Sequence, residues 1–192
     1  MQIIFERPIT LVGYSIGSRL IFSCMKELNR LSKLNRNKIL KTSDIDNDAT
    51  DTKEDIDSEG DELDVESIDA SVYSDMVQDV VLLGAPISTD SKNWKEIRSI
   101  ISGRLINGYS TNDLVLGIVY RYERFKYNVS GVQPVDNEKL WGTVLSSSSS
   151  LSSLGVENID LSNIIYKHTD YTVKMKEILQ SINLTGTHNY SL

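Results

Sequence analysis

The sequence predicts an α/β domain: a parallel β-sheet with helices on both faces. Three observations carry this. Strand-like segments recur at Ile9 to Val12, Val80 to Leu83, Arg104 to Tyr109 and Val156 to Leu161. Stretches with helical periodicity separate them, and crossovers of ten or more residues join parallel strands rather than hairpins. The composition, 40% hydrophobic and 24% charged over 192 residues, suits one globular domain with a real core.

The first strand is preceded by Pro8 and ended by Gly13. From Ile16 the residues Leu20, Ile21, Cys24, Leu28, Leu31 and Leu34 recur at three- and four-residue spacings, which predicts an amphipathic helix of about five turns. The second strand stops at the turn residues Gly84, Ala85 and Pro86. A helix over Ser91 to Ser102 follows, with Trp94, Ile97, Ile100 and Ile101 on one face and Asp90 or Ser91 as cap. After the third strand come turn-forming residues Ser110 to Asp113, then a helix over Leu114 to Phe125. A terminal helix is expected over Tyr171 to Ile182.

Two segments break this alternation. Residues 41–75 are rich in Asp, Ser and Thr and lack periodicity, so they read as a disordered acidic insert that cannot bury enough apolar area to offset its chain entropy. A Ser-rich loop is expected over about 136–155, around the run Ser146 to Ser150. The whole chain is expected to be one partial domain carrying these two inserts.

The formal charge of -7 is concentrated in the first insert. Asp44 to Asp75 hold 14 acidic residues and one basic residue, leaving 13 acidic against 19 basic elsewhere. That mildly basic remainder suits an anionic surface without selecting a partner. A single cysteine, Cys24, excludes an intramolecular disulfide framework, and no signal pattern opens the chain, so a reducing, cytoplasmic setting is expected for this soluble chain. No apolar run approaches the ~18 residues that span a bilayer. No metal, organic cofactor or nucleic-acid partner is implied.

Gly13-Tyr14-Ser15-Ile16-Gly17 fits the G-x-S-x-G pattern at a strand-to-helix junction. There a sharp turn exposes a serine hydroxyl above the sheet, and small residues at Gly13 and Gly17 let strand and helix approach. A nucleophilic serine needs a base. Of the two histidines, His188 lies in the last few residues, whereas His168 falls between the fourth strand and the terminal helix. Asp113, just beyond the third strand, would share a sheet edge with Ser15 and could orient His168. Asp136, Asp160 and Asp170 remain open as substitutes, and each of the three chosen residues also has a plain reading as a cap, turn or loop residue. The order Ser, Asp, His is that of the α/β-hydrolase pattern. The backbone amide of Ile16 would then supply one oxyanion-hole donor.

Four stretches carry a family resemblance: Arg7 to Arg19, Val80 to Pro86, Ser102 to Ser110 with Asn112 and Asp113, and Val156 to Leu161 with His168 to Tyr171. Together they resemble the family of transmembrane and coiled-coil domain-containing protein four. The resemblance implies an α/β-hydrolase fold with membrane-associated segments upstream of the hydrolase core, and hence association with the cytoplasmic side of a membrane for the full-length form. It also implies that this chain is the C-terminal half of the domain, truncated at its N-terminus. The function expected is that of a lipase- or esterase-like serine hydrolase acting on an acyl or lipid ester. The alternative is a non-catalytic membrane-trafficking or interaction protein that retains the fold.

Overall fold

The computed structural model describes residues 9–45, 76–89, 92–116, 128–141 and 155–184, with side chains described from 9 to 37 in the first segment. Its strands are β1 (Ile9–Tyr14), β2 (Val77–Leu83), β3 (Leu105–Tyr109) and β4 (Glu157–Asp160). They form one sheet in the order β1-β2-β3-β4, and every neighbouring pair is parallel. The expected α/β class is therefore the observed one. Helix α1 (Ile16–Ile45) follows β1, α2 (Asn93–Arg98) follows β2, α3 (Asn137–Trp141) precedes β4, and α4 (Asp170–Val173) and α5 (Met175–Ser181) follow it.

Alternation along β2 divides the core between two faces. Val80 and Leu82 pack with Phe22, Met25, Trp94 and Ile97, which come from α1 and α2. Val81 and Leu83 pack with Leu161, Tyr171, Ile178 and Ile182 on the other side. Both faces are covered, which is why Val80 to Leu83 reads as an unbroken apolar run. β1 is an edge strand, and its Ile9 and Val12 are 47% and 40% exposed.

Several boundaries differ from those expected. α1 continues to Ile45 and takes in residues 41–45 of the expected insert, because no glycine or proline interrupts the chain after Leu34 and each added residue gains a backbone hydrogen bond. The remainder of the insert, residues 46–75, lies outside the described residues. β2 begins at Val77, ahead of Val80, because the polar pair Gln78 and Asp79 belongs to the strand; Asp79 Oδ1 accepts the Arg104 amide at 2.6 Å.

α2 is shorter than expected. Beyond Arg98 the chain tightens, with Ile100 and Ile101 donating three residues back, and Ser102 returns to the Val77 carbonyl. Its N-cap is Lys92, without a side-chain hydrogen bond, while the proposed caps Asp90 and Ser91 lie outside the described residues. Of the helix expected over Leu114 to Phe125, only 114–116 fall within them, and these are helical.

The Ser-rich loop also begins later than expected. Asn137–Trp141 is the helix α3, started by Asp136 Oδ1 accepting the Lys139 amide at 3.0 Å and anchored by buried Leu140. The serine run lies outside the described residues. The expected terminal helix is two, broken at Lys174 (φ -99°, ψ 16°), whose ammonium donates to the Ile164 carbonyl at 2.7 Å. Among the described residues no helix is long and apolar enough to cross a membrane.

Candidate functional site

β1 delivers the chain to the turn at Ser15, which holds φ at 51°. That left-handed conformation is costly for a residue with a Cβ and persists only where the surroundings impose it. Here they do. The Ser15 amide donates to the Leu83 carbonyl at 2.9 Å, and the Ser15 carbonyl accepts the Arg19 amide at 3.3 Å as α1 begins. The buried Ser18 hydroxyl donates to the Leu83 carbonyl at 3.0 Å and accepts the Leu83 amide at 3.1 Å, fastening the first turn of α1 to the end of β2.

The two glycines flanking Ser15 are not equivalent. A Cβ at Gly13 would lie 2.7 Å from Ile21 and 2.8 Å from the Ser18 backbone, so β1 and α1 meet there only because no side chain intervenes. At Gly17 a Cβ would meet nothing within 4 Å. The close approach expected of both glycines belongs to Gly13 alone.

Because the strands are parallel, the residues following β1, β3 and β4 emerge at one sheet edge. The structure brings Ser15, Asp113 and His168 together there. His168 Nε2 lies 2.8 Å from Ser15 Oγ, and His168 Nδ1 lies 2.6 Å from Asp113 Oδ2. With a proton on Nδ1 donated to the carboxylate, Nε2 is left as the acceptor for the serine hydroxyl. Asp113 is buried, and its other oxygen accepts the Leu116 amide at 3.0 Å. The plain reading of Asp113 as a cap and its place beside His168 are thus both realised, one on each oxygen.

The substitute carboxylates are engaged elsewhere. Asp136 caps α3, Asp160 accepts the amide and hydroxyl of Ser162, and Asp170 Oδ2 accepts the amides of Tyr166 and Lys167, each at 2.9 Å. Those two amides, aided by the charges on Lys174 and Lys167 and opposed by a smaller desolvation, hold the Asp170 carboxyl below its ordinary value. His188 lies outside the described residues.

The histidine loop is held from several sides. Ser110 Oγ donates to the Ile165 carbonyl at 2.8 Å, and Asn112 Nδ2 donates to the Ser162 carbonyl at 2.8 Å. Tyr14 donates its hydroxyl to the His168 carbonyl at 2.6 Å, and its ring centroid lies 5.0 Å from the imidazole and 5.1 Å from Tyr171. Burial, and secondarily the Asp113 charge, raises the Tyr14 phenol; the same causes, with Tyr14 added, raise the buried Tyr171 phenol much further. Both remain neutral at ordinary pH.

Ile16 opens α1, and its amide, the first of the helix, has no partner among the described residues. It stands next to Ser15, at the open N-terminal end of α1. Periodicity and motif spacing gave no sign of Tyr14, Ser18, Ser110 or Asn112. The polar character of Ser18 within the buried face of α1 is the one signal that could have marked it.

Known proteins match this chain over nearly its whole length. An uncharacterized membrane protein of Caenorhabditis elegans is 28% identical over 96% of the chain and 22% of its own length. The transmembrane and coiled-coil domain-containing protein STS1 of Oryza sativa subsp. japonica is 29% identical over 93% of the chain and 19% of its own length. The probable lipase MIL1 of Saccharomyces cerevisiae is 26% identical over 93% of the chain and 12% of its own length. The chain therefore spans about a fifth or less of the length of these relatives. No solved structure matches it significantly. A family model described as Protein of unknown function (DUF726) matches residues 3–41 and 67–185, leaving out most of the acidic segment between them, and the chain belongs to that family.

Proposed function

We propose that this chain carries the nucleophile, base and acid of a serine hydrolase acting on ester or related acyl bonds. One observation carries the reading: the continuous hydrogen-bonded chain from Ser15 Oγ through the His168 imidazole to the buried Asp113 carboxylate. His168 Nε2 removes the Ser15 proton as Oγ attacks the acyl carbon, and Asp113 stabilises the imidazolium that forms. The tetrahedral oxyanion receives the Ile16 amide. His168 then protonates the departing alcohol, leaving an acyl-enzyme, and the same base activates the water that releases the acid.

The surroundings favour an apolar acyl group. Ile16 and Leu114, which directly follow Ser15 and Asp113, are 70% and 71% exposed, and neighbouring Val115 is 54% exposed. A relative named a probable lipase supports the same class of substrate. Relatives named as membrane proteins support a membrane-associated setting for the full-length protein. The exposed free thiol of Cys24 is consistent with the reducing, cytoplasmic side.

The test is hydrolysis of 4-nitrophenyl esters of increasing acyl length by the full-length protein and by Ser15→Ala. Turnover that rises with chain length and is lost in the variant is expected. A folded wild type without turnover would favour the non-catalytic alternative.

A further inference from the structure

We infer that Tyr14 is a positioning residue for this reaction, its hydroxyl tying the main chain of His168 to the strand that carries Ser15. The inference rests on the reading of Ser15 as nucleophile and His168 as base. Tyr14 ends β1 and is bonded through the backbone to Ser15. Leu11 packs on the α1 side of the sheet and Gly13 faces α1, so alternation sends Tyr14 to the opposite face, where it packs against the cluster containing Leu83, Ile165 and Tyr171.

From that face its hydroxyl reaches the His168 carbonyl at 2.6 Å, across 154 positions of sequence. The other side-chain bonds that hold the loop's carbonyls and amides come from Ser110, Asn112, Asp160, Asp170, Thr172 and Lys174. Those residues lie in the Asp113 turn, at the end of β4 or just beyond the histidine, so they fix His168 relative to Asp113 and not to Ser15. Apart from the Ser15 contact itself, the described hydrogen bond that joins this loop to β1 is that of Tyr14. Raised by burial, the phenol stays protonated and able to donate. The ring adds a second restraint, its centroid 5.0 Å from the imidazole and 5.1 Å from Tyr171, whose own ring lies 6.1 Å from the imidazole.

A base that drifts by even an ångström from its nucleophile loses much of its effect. Tyr14→Phe removes the hydroxyl and keeps the stacked ring, so it separates positioning from packing. In the full-length protein this variant should retain its amide spectrum and thermal midpoint, while a fluorophosphonate probe labels Ser15 roughly tenfold more slowly than in wild type. The far-downfield proton resonance of His168 Nδ1, a signature that needs no turnover, should broaden or vanish in the variant. An unchanged resonance together with an unchanged labelling rate overturns the role of Tyr14 and leaves the hydrolase reading standing. A wild type that is folded but unlabelled sinks the hydrolase reading, and the proposal with it, whatever the resonance does.

Discussion

Asp113 divides its two oxygens between two tasks: Oδ2 lies 2.6 Å from His168 Nδ1, and Oδ1 accepts the Leu116 amide at 3.0 Å. An asparagine could keep the cap while presenting a neutral group to the imidazole. Asp113→Asn should therefore fold normally and yet lower the rate of ester hydrolysis by about 10³- to 10⁴-fold, because the imidazole loses its orienting acceptor and the imidazolium its counter-charge. Denaturation midpoints and steady-state rates, measured side by side, separate the two tasks.

The glycines around Ser15 should respond oppositely to alanine. At Gly13 the added methyl would meet Ile21 at 2.7 Å and the Ser18 backbone at 2.8 Å, and the rigid backbone cannot yield. Gly13→Ala is expected to cost about 1–3 kcal/mol by overpacking and to displace the Ser15 turn. Gly17→Ala meets nothing within 4 Å and lies in the first turn of α1, so it should gain up to about 1 kcal/mol from helix propensity. Urea unfolding of both variants gives the comparison.

Tyr171 is buried, and its hydroxyl has no hydrogen-bond partner among the described residues. Tyr171→Phe should consequently stabilise the protein by about 1 kcal/mol at neutral pH. The sign of the alkaline response follows from the raised phenol. Its contribution is complete below the ordinary value of 10.0 and drains away as the pH climbs above it, since the unfolded chain ionises first. Tyr14 shifts in the same direction. Loss of stability above pH 10.0 should thus be shallower in Tyr171→Phe than in wild type, as read from denaturation curves across that range.

Asp170 holds the turn before His168 through the amides of Tyr166 and Lys167. Its lowered carboxyl places that support fully in force above the ordinary value of 3.8, with loss only as the pH falls through the lower folded value. Amide exchange at Tyr166 and Lys167 should be slow at pH 5, and Asp170→Ala should accelerate it at that pH. Unaltered protection in the variant would show that other contacts carry the turn.

What could be read from the sequence was whatever depends on local pattern. Val80 to Leu83 shows a buried strand because both of its faces are covered, and Gly13 to Gly17 shows a turn because the motif requires one. The edge where Ser15, Asp113 and His168 meet follows from strands that all run the same way. What escaped depends on partners distant in sequence. Gln78 and Asp79 look like loop residues until Arg104 supplies the partner of Asp79. The apolar spacing of Tyr171 to Ile182 runs through Lys174 without a sign of the break, which Ile164 stabilises from outside. The hydroxyl of Tyr14 acquires its partner only when the loop after β4 brings the His168 carbonyl to it.

The central claim is that His168 activates Ser15, and its most direct measurement is the site of covalent modification by a fluorophosphonate in the full-length protein, mapped by peptide mass spectrometry. The expected result is a single adduct on Ser15, absent from Ser15→Ala and reduced by several orders of magnitude in His168→Ala. An adduct on another serine, or labelling of Ser15 at an undiminished rate without His168, would contradict the account.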